Sequence, residues 1–391
     1  MQILNETPIL HKKNVSGLNQ YWMGQVVTDG ENCYVTTTTW SELSGGVGYS
    51  KMVSSIPKMA IPKNIGKANE TTPHDQALSE MNSRMKKKRD ESYVGEGEVY
   101  SGKPLAMKAL KFTDAKHRVK YPCWAQPKLN GERAGTDGDD WWTRTGLPHI
   151  PEVVQHIPMK AHILGGAPTD GELLLTVRGT ENDPIPKFRL LQDTSHAISK
   201  YYPDDSEYAS SNLQYWIFDT MDENDPFYQR NIRLDNMFAS IVAPGSIRRV
   251  PTYLCQDEAD VMMYHSRFTK WGFEGTIIRS YDGQYKFGHR VAELQKLKDF
   301  KDGEFRIIDV TNGTGSHAEC AMYVCMTTSG VTFTVNPEGE LTERQRIWHD
   351  FRAHSDNYVG KWLTVRYQDL TKDGIPQFAV GVAVRPERDI L

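Results

Sequence analysis

Apolar and polar positions alternate in short runs at both ends of the chain, while the middle mixes such runs with longer stretches of helical spacing. Near the front, Tyr21-Trp22-Met23-Gly24-Gln25-Val26-Val27 and Cys33-Tyr34-Val35-Thr36-Thr37-Thr38-Thr39 lie on either side of Asp29-Gly30. Aromatic and β-branched residues suit a pleated surface, so the pair predicts a hairpin whose connection is longer than two residues. Thr72 then precedes Pro73, with Asp75 three positions beyond the threonine. The hydroxyl can cap the first turn, and proline lacks the N–H that would be left unbonded there. A helix is predicted from Pro73 to about Arg89, ending in the basic block Lys86-Lys87-Lys88-Arg89. Toward the other end, Phe305–Val310, Tyr323–Thr327, Val331–Val335 and Trp362–Tyr367 read as strands, punctuated by Gly313, Gly315 and Gly330. Short strands in a segment of that length suit a small barrel.

With 391 residues the chain exceeds one ordinary core and predicts two or three domains. The pattern divides it into a front module at 1–95, a mixed middle at 96–300 and a strand-rich end at 301–391. The fold class is α+β. No apolar run approaches the roughly 18 residues that would span a bilayer, and the start lacks a basic-then-apolar secretory pattern. Five scattered cysteines form no Cys-x-x-Cys pair, which predicts neither a disulfide framework nor a zinc site and fits a reducing cytoplasm. The net charge of −4 is unevenly placed. Residues 1–120 hold 17 Lys+Arg and 12 Asp+Glu, a net of +5, so the remainder carries −9. A basic front on an acidic remainder suggests a polyanion-binding region, although ordinary surface variation explains it as well.

The strongest local signal is Gln126-Pro127-Lys128-Leu129-Asn130-Gly131-Glu132-Arg133. Lys-x-x-Gly alone is nearly worthless; an ordered series behind it is not. Thr143-Arg144-Thr145-Gly146 follows, then Asp170-Gly171-Glu172, Phe218-Asp219, Glu274-Gly275-Thr276-Ile277-Ile278-Arg279 and Lys296-Leu297-Lys298. In this order the segments resemble the motifs of the covalent nucleotidyltransferases: DNA ligases, RNA ligases and mRNA capping enzymes. The chemistry calls for these residue types. A lysine that attacks the α-phosphate of ATP must be unprotonated, so burial and nearby cations must lower a value that is ordinarily about 10.4. Lys296 and Lys298 would supply cations. A hard divalent ion prefers carboxylate and water, and Glu274 is the candidate ligand for magnesium, with manganese as a substitute.

The resemblance implies the remaining roles. Lys128 is the nucleophile, Gln126 meets adenine, Phe218 stacks on it, and Glu172 and Arg133 lie near the ribose. Arg144 grips the nick 5′-phosphate. Taken singly, Phe218 reads as core, the two glutamates as solvated strand ends and the lysine pair as an exposed face. Asn130 stands where the family has aspartate; it keeps an acceptor but loses a charge, predicting slower adenylation or an acid elsewhere. Toward the end, Gly374-Ile375-Pro376-Gln377-Phe378 resembles the OB-fold of phage-type ATP-dependent DNA ligases, with Gln377 replacing an arginine. Arg385 resembles the arginine of the final motif, which orients pyrophosphate, although the following Asp-Lys is missing. The front module resembles the WGR modules of some ligase chains without the Trp-Gly-Arg triplet. Its block Lys86 to Arg89 would then neutralise DNA phosphates, or else be a solvated helix end.

The expected protein is thus an ATP-dependent DNA ligase with an antiparallel, ATP-grasp-like nucleotidyltransferase domain, an OB barrel and a small α/β front module. It would work as a cytoplasmic monomer on nicked duplex DNA, with no membrane partner. The rivals are an RNA ligase, a capping-type enzyme, or a nick-binding protein disabled by Asn130.

Overall fold

The computed structural model describes residues 1–14, 16–45, 47–98, 102–159, 167–177, 187–188, 191–239, 245–313 and 317–385. They form two compact units, Met1–Leu297 and Lys298–Leu391.

The first unit opens with a six-stranded sheet. Its centre is the predicted hairpin, Asn19–Thr28 paired antiparallel with Cys33–Ser41. In the connecting turn the Asp29 carboxylate accepts from the amides of Glu31 and Asn32, and Gly30 adopts a φ of +101°. The predicted helix spans Pro73–Asp90, and the Thr72 hydroxyl accepts from the Asp75 amide at 3.1 Å. Ala77 and Met81 of this helix pack on Val26 and Val35 of the hairpin.

Two further sheets follow. One runs in the order Trp141–Thr143, Glu132–Thr136, Thr169–Val177, Leu213–Thr220, Ile247–Arg249. The other runs Tyr253–Cys255, Cys123–Lys128, Gly275–Ser280, Arg290–Lys298, Lys108–Lys111. Most pairings are antiparallel; Ile247–Arg249 and Lys108–Lys111 add parallel edges. Helices Leu191–Ile198 and Phe227–Ala239 cover the first sheet through Ala197, Leu234 and Met237. Helix Glu258–Lys270 covers the second through Val261 and Phe268. A small apolar cluster of Leu129, Leu174 and Val250, joined by Phe218 and Phe273, combines side chains of both sheets and their connecting loops. The antiparallel sheets with helices expected of the middle segment are therefore present.

The second unit is a closed barrel in the order Lys301–Asn312, Ala321–Met326, Thr332–Pro337, Val380–Arg385, Trp362–Tyr367. Inward residues such as Ile307, Tyr323, Val335, Leu363 and Val365 form its core. All four predicted strands occur. The helix Leu341–Ala353 went unread, because in Leu341-Thr342-Glu343-Arg344-Gln345-Arg346 charged side chains hide the narrow apolar stripe that buries Ile347.

Candidate active site

Lys128 ends the strand Cys123–Lys128, in register with Gly275 of the neighbouring strand. That register puts Glu274 beside it, and the Glu274 amide donates to the Lys128 carbonyl at 3.0 Å. The Lys128 ammonium donates in a short contact to the Glu274 carboxylate and at 3.1 Å to the Leu129 carbonyl. Both side chains are largely buried. Glu172 completes the group: burial pushes its carboxyl above the ordinary range, the Lys128 charge pulls it back, and Glu274 pushes it up again. Lys128 is thus flanked by two carboxylates.

Gly131 fixes this approach. Its amide donates to the Glu172 carboxylate at 2.6 Å. A Cβ there would stand 2.2 Å from the Leu173 carbonyl oxygen and 2.6 Å from a Leu174 methyl carbon, so the position admits only hydrogen. Asn130 is half-buried beside it.

Behind Lys128 lies a buried polar network whose pairings no motif announced. Gln126 donates both amide hydrogens, to the Phe218 carbonyl at 3.0 Å and the Thr252 hydroxyl at 2.9 Å, and accepts from Arg279 at 2.7 Å. Since arginine only donates and a carbonyl only accepts, these partners fix which end of the amide is oxygen. Arg279 also binds Asp219 at 2.6 Å, and Asp219 receives Arg230 at 2.8 Å and 3.1 Å. Burial works against the Asp219 charge, but Arg230 and Arg279 outweigh it and hold the carboxyl below its ordinary value. Asp219 followed Phe218 in a motif, which was a signal for it; Arg230, on a helix 11 residues later, had none.

Arg133 grips Asp170 with two nitrogens, at 2.9 Å and 2.5 Å, and donates to the Met107 carbonyl at 2.6 Å. Burial opposes the guanidinium charge, yet Asp170 lifts it above its ordinary value. The Tyr285 hydroxyl donates to the same carboxylate at 2.7 Å. Phe218 carries Arg133 and Arg279 against its ring, 5.4 Å and 5.3 Å from the centroid.

Lys128, Gln126, Arg133, Glu172, Phe218 and Glu274 therefore come together in the first unit. Lys296 lies half-buried on Arg290–Lys298, the strand next to Gly275–Ser280. Lys298 and Arg385 belong to the second unit, where Lys298 donates to Gln368 at 2.8 Å and Arg385 to Thr364 at 2.9 Å. Arg144 is exposed on the turn after Trp141–Thr143. Of the basic block, Lys88 pairs with Glu91 at 2.9 Å and Arg89 with Glu98 at 2.7 Å, while Lys86 and Lys87 are exposed. Among the described residues no group of three or more His, Cys, Asp and Glu side chains could hold a metal by itself. No helix among them is long and apolar enough to cross a membrane.

Two helix-covered antiparallel sheets that bring a lysine beside two carboxylates, followed along the chain by a closed five-stranded barrel, are the architecture of a nucleotidyltransferase domain with an OB-fold domain. Residues 103–298 match the family model described as ATP dependent DNA ligase domain, and residues 312–385 the one described as DNA ligase OB-like domain. The chain is 30% identical to the DNA ligase of the Warthog isolate of African swine fever virus over 369 residues, covering 87% of this chain and 82% of that protein. The DNA ligase of the Pretoriuskop isolate is 27% identical over the same shares. Among solved structures, a Lig E DNA ligase superposes with a TM-score of 0.55 at 22% identity, covering 73% of this chain and all of that one. A structure named Pmar-Lig superposes at 0.59 with 15% identity, covering 80% and 72%. The chain belongs to the ATP-dependent DNA ligase family. It is accordingly a ligase enzyme that uses ATP and acts on DNA.

Proposed function

We propose that the chain seals 5′-phosphate/3′-hydroxyl nicks in duplex DNA through a lysyl-AMP on Lys128. The observation that carries this reading is the Lys128 ammonium bonded to Glu274, the residue that leads into the neighbouring strand Gly275–Ser280. Glu274 is placed to take the proton that the amine must lose before attack. The Lys128 nitrogen then forms a bond to the α-phosphorus as the bond to pyrophosphate breaks. AMP passes to a 5′-phosphate held by Arg144, and the 3′-hydroxyl attacks that phosphorus and expels AMP. The Gln126 oxygen accepts one bond from Arg279 and retains a second acceptor position. An acceptor suits the amino group of adenine and rejects the carbonyl of guanine, and Phe218 supplies the stacking face. Arg133 packs against the same ring and meets the ribose, and Lys296 meets the phosphates.

Glu274 and Glu172 are hard oxygen donors near the nucleophile, which fits magnesium completed by water and ATP oxygens. Held by Glu274 and Glu172, a divalent cation would neutralise phosphate charge and favour the uncharged form of the Lys128 amine. The N-terminal sheet and its helix Pro73–Asp90 serve as a WGR-like DNA-binding accessory, with Lys86 and Lys87 of the helix toward the DNA backbone, and the protein works as a monomer.

The test is labelling with α-labelled ATP, and with GTP in parallel, plus magnesium. Label from ATP that Lys128→Ala lacks, and that nicked DNA chases into sealed product, is expected. Label from GTP, or none from either nucleotide in folded protein, overturns the reading.

A further inference from the structure

Cations collect where the N-terminal sheet meets the edge of the second sheet, and few acids accompany them. Lys12, on the strand Leu10–Lys13, donates to the Glu91 carbonyl at 2.9 Å. Its ammonium also comes within 3.3 Å of where a Cβ on Gly288 would stand, so it reaches the turn that precedes Arg290–Lys298. Lys108 faces Arg290 in parallel register, and its amide donates to the His289 carbonyl at 2.7 Å. Lys12 and Lys108 are both half-buried. Burial pushes both ammonium groups down, and Lys108 pushes Lys12 further. Arg144 and Arg290 act on Lys108 in the same sense. Burial, then Lys12 and Lys108, lower the His289 imidazole. Glu91 is the acid that acts on both lysines, and its carboxylate is already paired with Lys88 at 2.9 Å. The Lys108 ammonium makes no hydrogen bond or ion pair among the described residues.

Half-buried like charges repel one another and have lost hydration, so this arrangement costs the protein stability unless an anion enters it. A solvated lysine face would not carry that cost, since its charges could turn away into water. Arg144, the residue proposed for the nick 5′-phosphate, is among the charges that push the Lys108 ammonium down.

We propose that Lys12, Lys108, His289 and Arg290 form a phosphate pocket shared by the N-terminal sheet and the second sheet, which holds the DNA backbone phosphate adjoining the one at Arg144. The proposal rests on the nick-sealing reading and deepens it: the N-terminal sheet supplies part of the substrate site itself.

The full chain, with Lys12→Met, Lys108→Met and Lys108→Arg, is titrated with a 5′-phosphorylated nicked duplex by fluorescence anisotropy at several salt concentrations. Each methionine variant is expected to bind about threefold to tenfold more weakly and to lose about one unit of slope in the log-affinity against log-salt plot. Lys108→Arg keeps the charge and is expected to keep the slope. Self-adenylation without DNA is followed against ATP concentration in the same preparations, and it is expected to match wild type. Unchanged affinity and slope overturn the pocket. So does an arginine variant as weak as the methionine one, which would mean packing alone. A changed ATP dependence with normal DNA binding assigns the pocket to nucleotide phosphates and also overturns it. Wild-type protein that fails to bind nicked duplex overturns the nick-sealing reading, whereas failure confined to the variants' predictions leaves that reading standing.

Discussion

The two compact units bury different things. Around Lys128 the first unit hides Asp170, Asp219, Arg230 and Arg279 at 3% exposure or less, each tied to a counter-charge. The barrel unit hides Ile307, Tyr323, Cys325, Val335, Leu363 and Val365, and among its described residues the buried polar side chains are Thr327 and Arg344. Apolar packing stabilises without special geometry, about 25 cal/mol per Å² removed from water. A buried ion pair roughly breaks even at best, and punishes the loss of one partner. The first unit thus accepts a fragile core around Lys128 in return for fixed positions of Gln126 and Phe218, whereas the described part of the barrel unit buries a single charged side chain, Arg344, which donates to Asn336 at 2.7 Å.

Removing the shared acid tests this contrast most severely. Asp219→Ala leaves Arg230 and Arg279 buried without a counter-charge and is expected to cost about 3–5 kcal/mol in denaturant unfolding. The pH arm has a definite sign. The Asp219 carboxyl is held below its ordinary value, so its contribution is complete above the unfolded value, near 3.9, and is lost as pH falls through the folded one. Wild type is expected to lose stability in that acid window more steeply than Asp219→Asn.

In the barrel, Leu363→Ala should cost about 3 kcal/mol through cavity formation, with little dependence on pH. A strong acid dependence there would erase the distinction between the units. Glu172→Gln reverses the usual sign. Burial raises the Glu172 carboxyl, so wild type loses stability as pH rises from the ordinary glutamate range through the raised value. The glutamine variant, which can still accept from the Gly131 amide, is expected to melt higher at neutral pH and to match wild type in acid, while adenylating poorly. A lower melting temperature at neutral pH would show that the Lys128 attraction dominates. Smallest of all, Asn130→Asp should change the self-adenylation rate by less than about threefold, under 1 kcal/mol of barrier, because two carboxylates already flank Lys128. A tenfold gain would mean that Asn130 limits the enzyme.

The legible parts of this protein were those written locally. Thr72, Pro73 and Asp75 announced a helix because capping uses neighbours in sequence. The hairpin around Asp29-Gly30 and the barrel strands were visible for the same reason. The candidate site residues were singled out through motif order, which compresses three-dimensional placement into short words. What stayed hidden depends on pairing across distance. Arg279 meets Asp219 from 60 residues away, and Tyr285 meets Asp170 from 115. No local pattern marks Arg230 as buried or Lys12 as a neighbour of Lys108. The basic block shows the same limit from the other side: Lys86 to Arg89 reads as one charged patch, and the sequence does not show that Lys88 and Arg89 are matched by Glu91 and Glu98.

The hydrogen atom at Gly131 acts as a gauge. With the Leu173 oxygen 2.2 Å from any added carbon, the chain that leaves Lys128 must pass the neighbouring strand at one separation only. The interval from nucleophile to glycine is then a mechanical length, and inserting or deleting a residue within it would retract the amine from Glu274 just as surely as replacing either side chain. Designers who wish to move this lysine toward a bulkier nucleotide would need to shift the Leu173 strand with it, since the loop itself has no slack to give.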